Sequence, residues 1–122
     1  MLKDLDLTWY TKVYLVCGYT DLRLGATGLL NLIQFKLQIS PYDQHAVFLF
    51  CGRKASVIKG FVWEGDGIVI LTKRVVDGHY QWPRTSDEVK ALTKEQFCRL
   101  MQGLTVESSI RNIPEKKGSK TR

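Results

Sequence analysis

The sequence predicts an α+β domain: a mostly antiparallel β meander with two helices packed on one face. Three observations lead there. Short runs of β-branched and aromatic residues follow one another between residues 46 and 82, punctuated by Asp66-Gly67 and Asp77-Gly78, pairs that supply the positive φ angles of tight hairpins. Apolar residues recur at helical spacing in two other stretches, one after Thr20-Asp21 and one after Thr93. With 122 residues and 44% hydrophobic content, the chain has the size and apolar share of one ordinary domain.

The first expected strand, over residues 12–17, gathers Val13, Tyr14, Leu15 and Val16 before Gly18. A helix follows, capped by Thr20 or Asp21, whose short side-chain oxygens accept the free amides of a first turn; Leu22, Ala26, Leu29, Leu30, Ile33 and Leu37 continue it. Gly25 and Gly28 weaken that helix by about 1 kcal/mol each relative to Ala, so they mark either close packing on the sheet or an irregular first turn. Ser40-Pro41-Tyr42-Asp43 stops it, because proline cannot continue the bonding ladder. The meander then runs through strands at 46–51, 57–64, 68–75 and 79–82, with Gly52-Arg53-Lys54-Ala55 as a loop and Pro83 as the stop. Thr93-Lys94-Glu95-Gln96 is a capping box opening a second helix, with Phe97, Leu100, Met101 and Leu104 on its apolar side and Gly103 at its close. Residues 1–113 are expected to form the domain, and residues 114–122 a basic tail without packed structure.

Two-residue Asp-Gly loops would set Trp63 opposite Ile70, Phe61 opposite Thr72, Lys59 opposite Arg74, and Arg74 opposite Gln81. One face would then hold Lys59, Phe61, Trp63, Ile70, Thr72, Arg74 and Gln81, and the other Val62, Val69, Leu71, Lys73, Val75, Tyr80 and Trp82. The second face is the more apolar and is expected to be the core side. The first is then an exposed or half-exposed surface mixing aromatic and basic groups.

Lys and Arg number 18 against 12 acids, a net charge of +6. Residues 114–122 carry +3 of it and residues 51–84 the other +3, so the charge is regional and suits a polyanionic partner. No apolar run reaches the roughly 18–20 residues that span a bilayer, and the start Met1-Leu2-Lys3-Asp4-Leu5-Asp6 lacks the pattern of a secretory signal. A soluble, cytoplasmic protein with no membrane partner is expected. Cys17, Cys51 and Cys98 form no CxxC pair and are expected to be buried free thiols.

Catalytic patterns are thin. Asp21, Glu64 and Asp66 are the candidate carboxylates for a divalent cation in nuclease chemistry, yet each has a plainer role as cap, strand or turn residue. His45 and His79 lie in or beside expected turns, with nothing nearby to activate a cysteine. Lys59, Phe61, Trp63 and Arg74 on one sheet face could neutralise phosphates and stack on bases; the plainer alternative is that both aromatics are core and the cations reach past them. The strand-to-helix junction from Cys17 to Arg23 could receive a phosphate on free amides, or be simply a capped helix start.

The ordered set CGYTDLR at 17–23, Gly25 and Gly28-Leu29, FCGRK at 50–54, IKGFVWEGDG at 58–67, Lys73-Arg74 and QWP at 81–83 resembles the TnpB-type accessory protein of the IS-sixty-six family of bacterial insertion sequences. The resemblance runs from about Thr11 to Val106 and departs from the usual family pattern at Leu24, Thr27, Glu64 and His79. It implies a non-enzymatic accessory factor for DNA transposition, encoded beside a separate transposase. It implies no catalytic residue, metal, cofactor or small-molecule substrate. The expected partners are that transposase and DNA. Arg53, Lys54, Lys59, Lys73, Arg74 and Arg84 would meet phosphates, Trp63 would add stacking or a protein contact, and Arg23 with the Thr20-Asp21 turn would form a neighbouring polar site. A protein-interaction module that docks the transposase without touching DNA is the alternative, and a metal-dependent nuclease the remote one.

Overall fold

Five strands form one sheet in the computed structural model, which describes residues 1–84 and 88–106. They are β1 (Lys12–Val16), β2 (Ala46–Cys51), β3 (Val57–Trp63), β4 (Ile68–Arg74) and β5 (Val89–Leu92), in the order β4-β3-β2-β1-β5. Three of the four pairings are antiparallel, as expected of a mostly antiparallel α+β sheet; β1 and β2 run parallel. A parallel pair needs a long crossover, and residues 17–45 supply it with a helix. The expected end of the domain at residue 113 and the tail lie outside the described residues.

β2 sits at the centre, and all six of its residues are buried. An unbroken apolar run is what a strand covered on both faces requires. Val47, Leu49 and Cys51 point to one core with Val13, Leu15, Ile58, Val62, Leu92, Phe97 and Leu100. Ala46, Phe48 and Phe50 point to a second core with Phe61, Leu29 and Ile33. The helices α1 (Gly25–Asn31) and α2 (Lys94–Met101) therefore lie on opposite faces, which corrects the expectation that both pack on one. The physical reason is that the central strands are apolar in both directions, so each face needs its own cover. The expected aromatic and basic surface is corrected for the same reason: Phe61 is fully buried, and exposing a side chain of that size costs about 1.5–3 kcal/mol.

The β3–β4 hairpin closes with a four-residue turn in which Glu64 N–H donates to the Gly67 carbonyl, so Trp63 faces Ile68, Phe61 faces Ile70 and Lys59 faces Thr72. The register is displaced by two residues from the two-residue-loop expectation. An even slip leaves every side chain on its expected face.

Residues 79–82 are not a fourth meander strand. They cross the α2 side of the sheet as a strap: Tyr80 N–H donates to the Ala55 carbonyl at 2.7 Å, and the Trp82 indole N–H donates to the Val16 carbonyl at 2.9 Å. Tyr80 and Trp82 are buried as expected of core-side residues, but by crossing the sheet rather than extending it. The chain thereby reaches the far edge, where β5 pairs antiparallel with β1, a strand the sequence reading did not foresee.

The first helical segment starts irregularly. A 3-10 turn at Leu22–Leu24 precedes Gly25, whose φ of 73° and ψ of −178° belong to a region essentially restricted to glycine; α1 then runs into a π turn at Leu32–Lys36. In α2 the capping box is complete, with Thr93 Oγ1 accepting from Gln96 N–H and Gln96 Oε1 accepting from Thr93 N–H. Of the cysteines only Cys51 is buried, and burial pushes its thiol up to about 11. Cys17 is half-buried and Cys98 exposed, because α2 turns Phe97 and Leu100 inward and Cys98 falls off that stripe.

Candidate functional site

Parallel pairing brings the C-terminal ends of β1 and β2 to the same edge of the sheet, and with them the turn after β1 and the loop after β2. Thr20, itself buried, ties the two together: its N–H donates to the Cys51 carbonyl at 2.8 Å. The β2–β3 loop is held tight by Ala55 N–H donating to the Gly52 carbonyl, with Ala55 at φ 58°. Val57 faces Arg74 across the hairpin, which delivers the end of β4 to the same place. These segments enclose an open groove of about 630 Å³, lined among others by Tyr19, Asp21, Arg23, Arg53, Lys54, Ser56 and Arg74.

The groove's polar groups are organised by two local pairs. Asp21 Oδ1 accepts from the Arg23 backbone N–H at 3.0 Å and from its Nε at 2.9 Å, while Oδ2 accepts from Nη2 at 3.0 Å. These hydrogen bonds hold the Asp21 carboxyl down to about 2, so both partners are charged at neutral pH. Both partners are solvent-exposed, so the pair orients Arg23 more than it stabilises the fold. In the second pair the Arg53 guanidinium lies over the Tyr19 ring, 4.6 Å from its centroid, and Nη2 donates to the Tyr19 hydroxyl at 2.9 Å. Arg84 Nη2 donates to the Arg53 carbonyl at 3.1 Å and braces this loop from beside the groove. The side chains of Lys54 and Arg74 make no ion pair or hydrogen bond among the described residues.

Not every basic residue named from the sequence arrives here. Lys59 Nζ donates to the Leu22 carbonyl at 3.0 Å and supports the 3-10 turn, a structural duty in a half-buried position. Lys73 points to the other face of the sheet, beside the N-terminal turn of Met1, Leu2, Lys3 and Asp4. Trp63 stands at the opposite end of β3 from the groove, with its ring edge-on to Tyr42 at 5.1 Å. Tyr19 was missed by the sequence reading, although an aromatic between Gly18 and the helix cap had no core to enter; it is 55% exposed. Ser56 carried no signal.

The carboxylates do not converge: Asp21 lines the groove, whereas Glu64 and Asp66 belong to the turn at the far end of β3. Among the described residues no group of three or more His, Cys, Asp or Glu is placed to hold a metal ion. Nor is any helix among them long and apolar enough to cross a membrane.

The family model described as IS66 Orf2 like protein matches residues 11–111. Two proteins of Sinorhizobium fredii are similar along most of their length. The uncharacterized protein y4hO is 31% identical over 93 residues, which cover 76% of this chain and 80% of the relative. The uncharacterized protein y4jC is 29% identical over 84 residues, 69% of this chain and 71% of the relative. No solved structure matches.

Proposed function

The chain belongs to the IS66 Orf2-like family, whose role is accessory to transposition, and from that premise we propose that it makes and breaks no bonds itself but grips DNA phosphates in the groove between Tyr19 and Arg74. The observation that carries this reading is the charge balance inside the groove. Arg23, Arg53, Lys54 and Arg74 meet there, and Asp21, the acid among the lining residues, is already engaged by Arg23. A recess with excess positive charge attracts a polyanion and releases its counterions on binding.

Titration of DNA binding against salt tests it. Affinity should fall steeply from low to moderate salt, and replacing Lys54 or Arg74 by Ala should reduce the log–log salt slope by about 1 each without changing the fold. Absence of binding even at low salt would remove this reading.

The separate transposase is the second partner in this proposal. Its supporting observation is the Tyr42–Trp63 ring pair, with Trp9 lining the same recess as Trp63, which lies about 20 Å from the groove along β3 and leaves the groove accessible. Co-purification with the transposase should be lost in Trp63→Ala and kept in Arg74→Ala; the reverse pattern would place the transposase on the basic groove instead.

A further inference from the structure

A recess and a ridge fit different forms of DNA. Reading a duplex requires an element that projects into a groove about 12 Å wide. The projections of this molecule are poorly suited to that. The β3–β4 turn carries Glu64 and Asp66, which repel phosphates, and the π turn after α1 presents Phe35, 68% exposed, next to a single Lys36. Arg23, Arg53, Lys54 and Arg74 line instead a concavity whose volume of about 630 Å³ is that of a site for a small organic ligand. Its wall contains an exposed aromatic ring already stacked with a guanidinium.

We infer that the groove takes an unpaired nucleotide of DNA, with its base laid against the Tyr19–Arg53 pair and its phosphates beside Lys54 and Arg74. Every base has a π face, so a Tyr–Arg platform holds it without regard to sequence, and the unpartnered cations meet the backbone on either side. Arg23, fixed by Asp21, keeps a free guanidinium N–H for the same phosphates. In a paired helix both base faces are covered by stacking neighbours, so the platform gains nothing from duplex DNA. The inference rests on the DNA-binding reading above and adds the form of DNA.

Fluorescence anisotropy with a labelled oligonucleotide of about 16 nucleotides, in single-stranded, blunt duplex and 3′-overhang forms, separates the two claims. The single strand and the overhang should bind at least about 10-fold more tightly than the blunt duplex, a stacked base being worth that much. Tyr19→Ala should weaken single-strand binding by about 5- to 150-fold and remove most of its advantage over the duplex, and Tyr19→Phe, which keeps the ring, should retain most of the affinity. Circular dichroism checks that both variants of this exposed residue fold. Equal affinity for duplex and single strand, or an unaffected Tyr19→Ala protein, would overturn the inference and leave phosphate gripping intact. Binding to none of the three forms at low salt would remove both.

Discussion

Arg53 makes three contacts, two with Tyr19 and one with Arg84: its guanidinium covers the Tyr19 ring, its Nη2 reaches the Tyr19 hydroxyl, and its carbonyl receives Arg84. A lysine there would keep the charge but lose the planar fork that stacks and donates at once. At the same scale, Tyr80 shows a local cost of the strap. Its ring fills the core on the α2 side, but its buried hydroxyl has no partner among the described residues. An unpaired buried hydroxyl loses its hydration without recompense, so Tyr80→Phe should raise stability by about 1 kcal/mol, seen as a higher urea midpoint with an unchanged slope. A lower midpoint would mean that the hydroxyl has a partner. Residue chemistry of this kind was only partly legible in the sequence. The Thr93 capping box depends on neighbours within three positions and could be read directly; the first cap was narrowed to Thr20 or Asp21, and Asp21 makes it on the 3-10 turn. The engagement of Lys59 with Leu22, across 37 positions, could not.

At the scale of elements, the turn before α1 positions half of the groove. Gly25 at φ 73° and ψ −178° lets the 3-10 turn of Leu22–Leu24 end before the α-helix begins, which keeps Arg23 beside Asp21 at the rim. A Cβ at Gly25 would meet no atom within 4 Å, so the objection to a side chain is conformational and not steric. Gly25→Ala should therefore cost about 1–3 kcal/mol, measurable by chemical denaturation, and no loss would mean that the turn relaxes to an ordinary helix start. The irregular first turn was one of two meanings the glycines could have had. The β3–β4 hairpin teaches a related lesson: Asp66-Gly67 signalled the turn, but Gly65 at φ 97° and Glu64 also joined it, lengthening the loop by two residues. Since side chains alternate with period two, that error preserved the faces. The strap at 79–82 was read as a strand because buried aromatics look alike in both settings; its hydrogen bonds go to Ala55 and Val16, which no local pattern announces.

At the scale of the whole molecule, a sheet covered on both sides makes the central strands inaccessible until the molecule opens globally. Cys51, on β2 with its thiol pushed up to about 11, is a built-in probe of that opening. Under native conditions a thiol reagent should modify Cys98 first and Cys17 more slowly, while Cys51 should react only at the rate of global unfolding. Mass spectrometry of the labelled protein checks the order, and early labelling of Cys51 would show that the α2 layer or the strap beside it opens on its own. The groove is also a property of the whole: it exists because β1 and β2 are parallel, so that two loops distant in sequence end at one edge, and because β4 returns Arg74 to them. By itself the sequence determined the α+β class, the strands from 12 to 74, the capping box of α2 and the family resemblance, since these depend on spacing, turn chemistry and motif order within short windows. Only the tertiary structure decided which basic residues face one recess, that Phe61 is core and Trp63 is not in the groove, and that each sheet face carries its own helix. Alternation along a strand says which side chains share a face; what covers that face depends on chain segments that arrive from elsewhere.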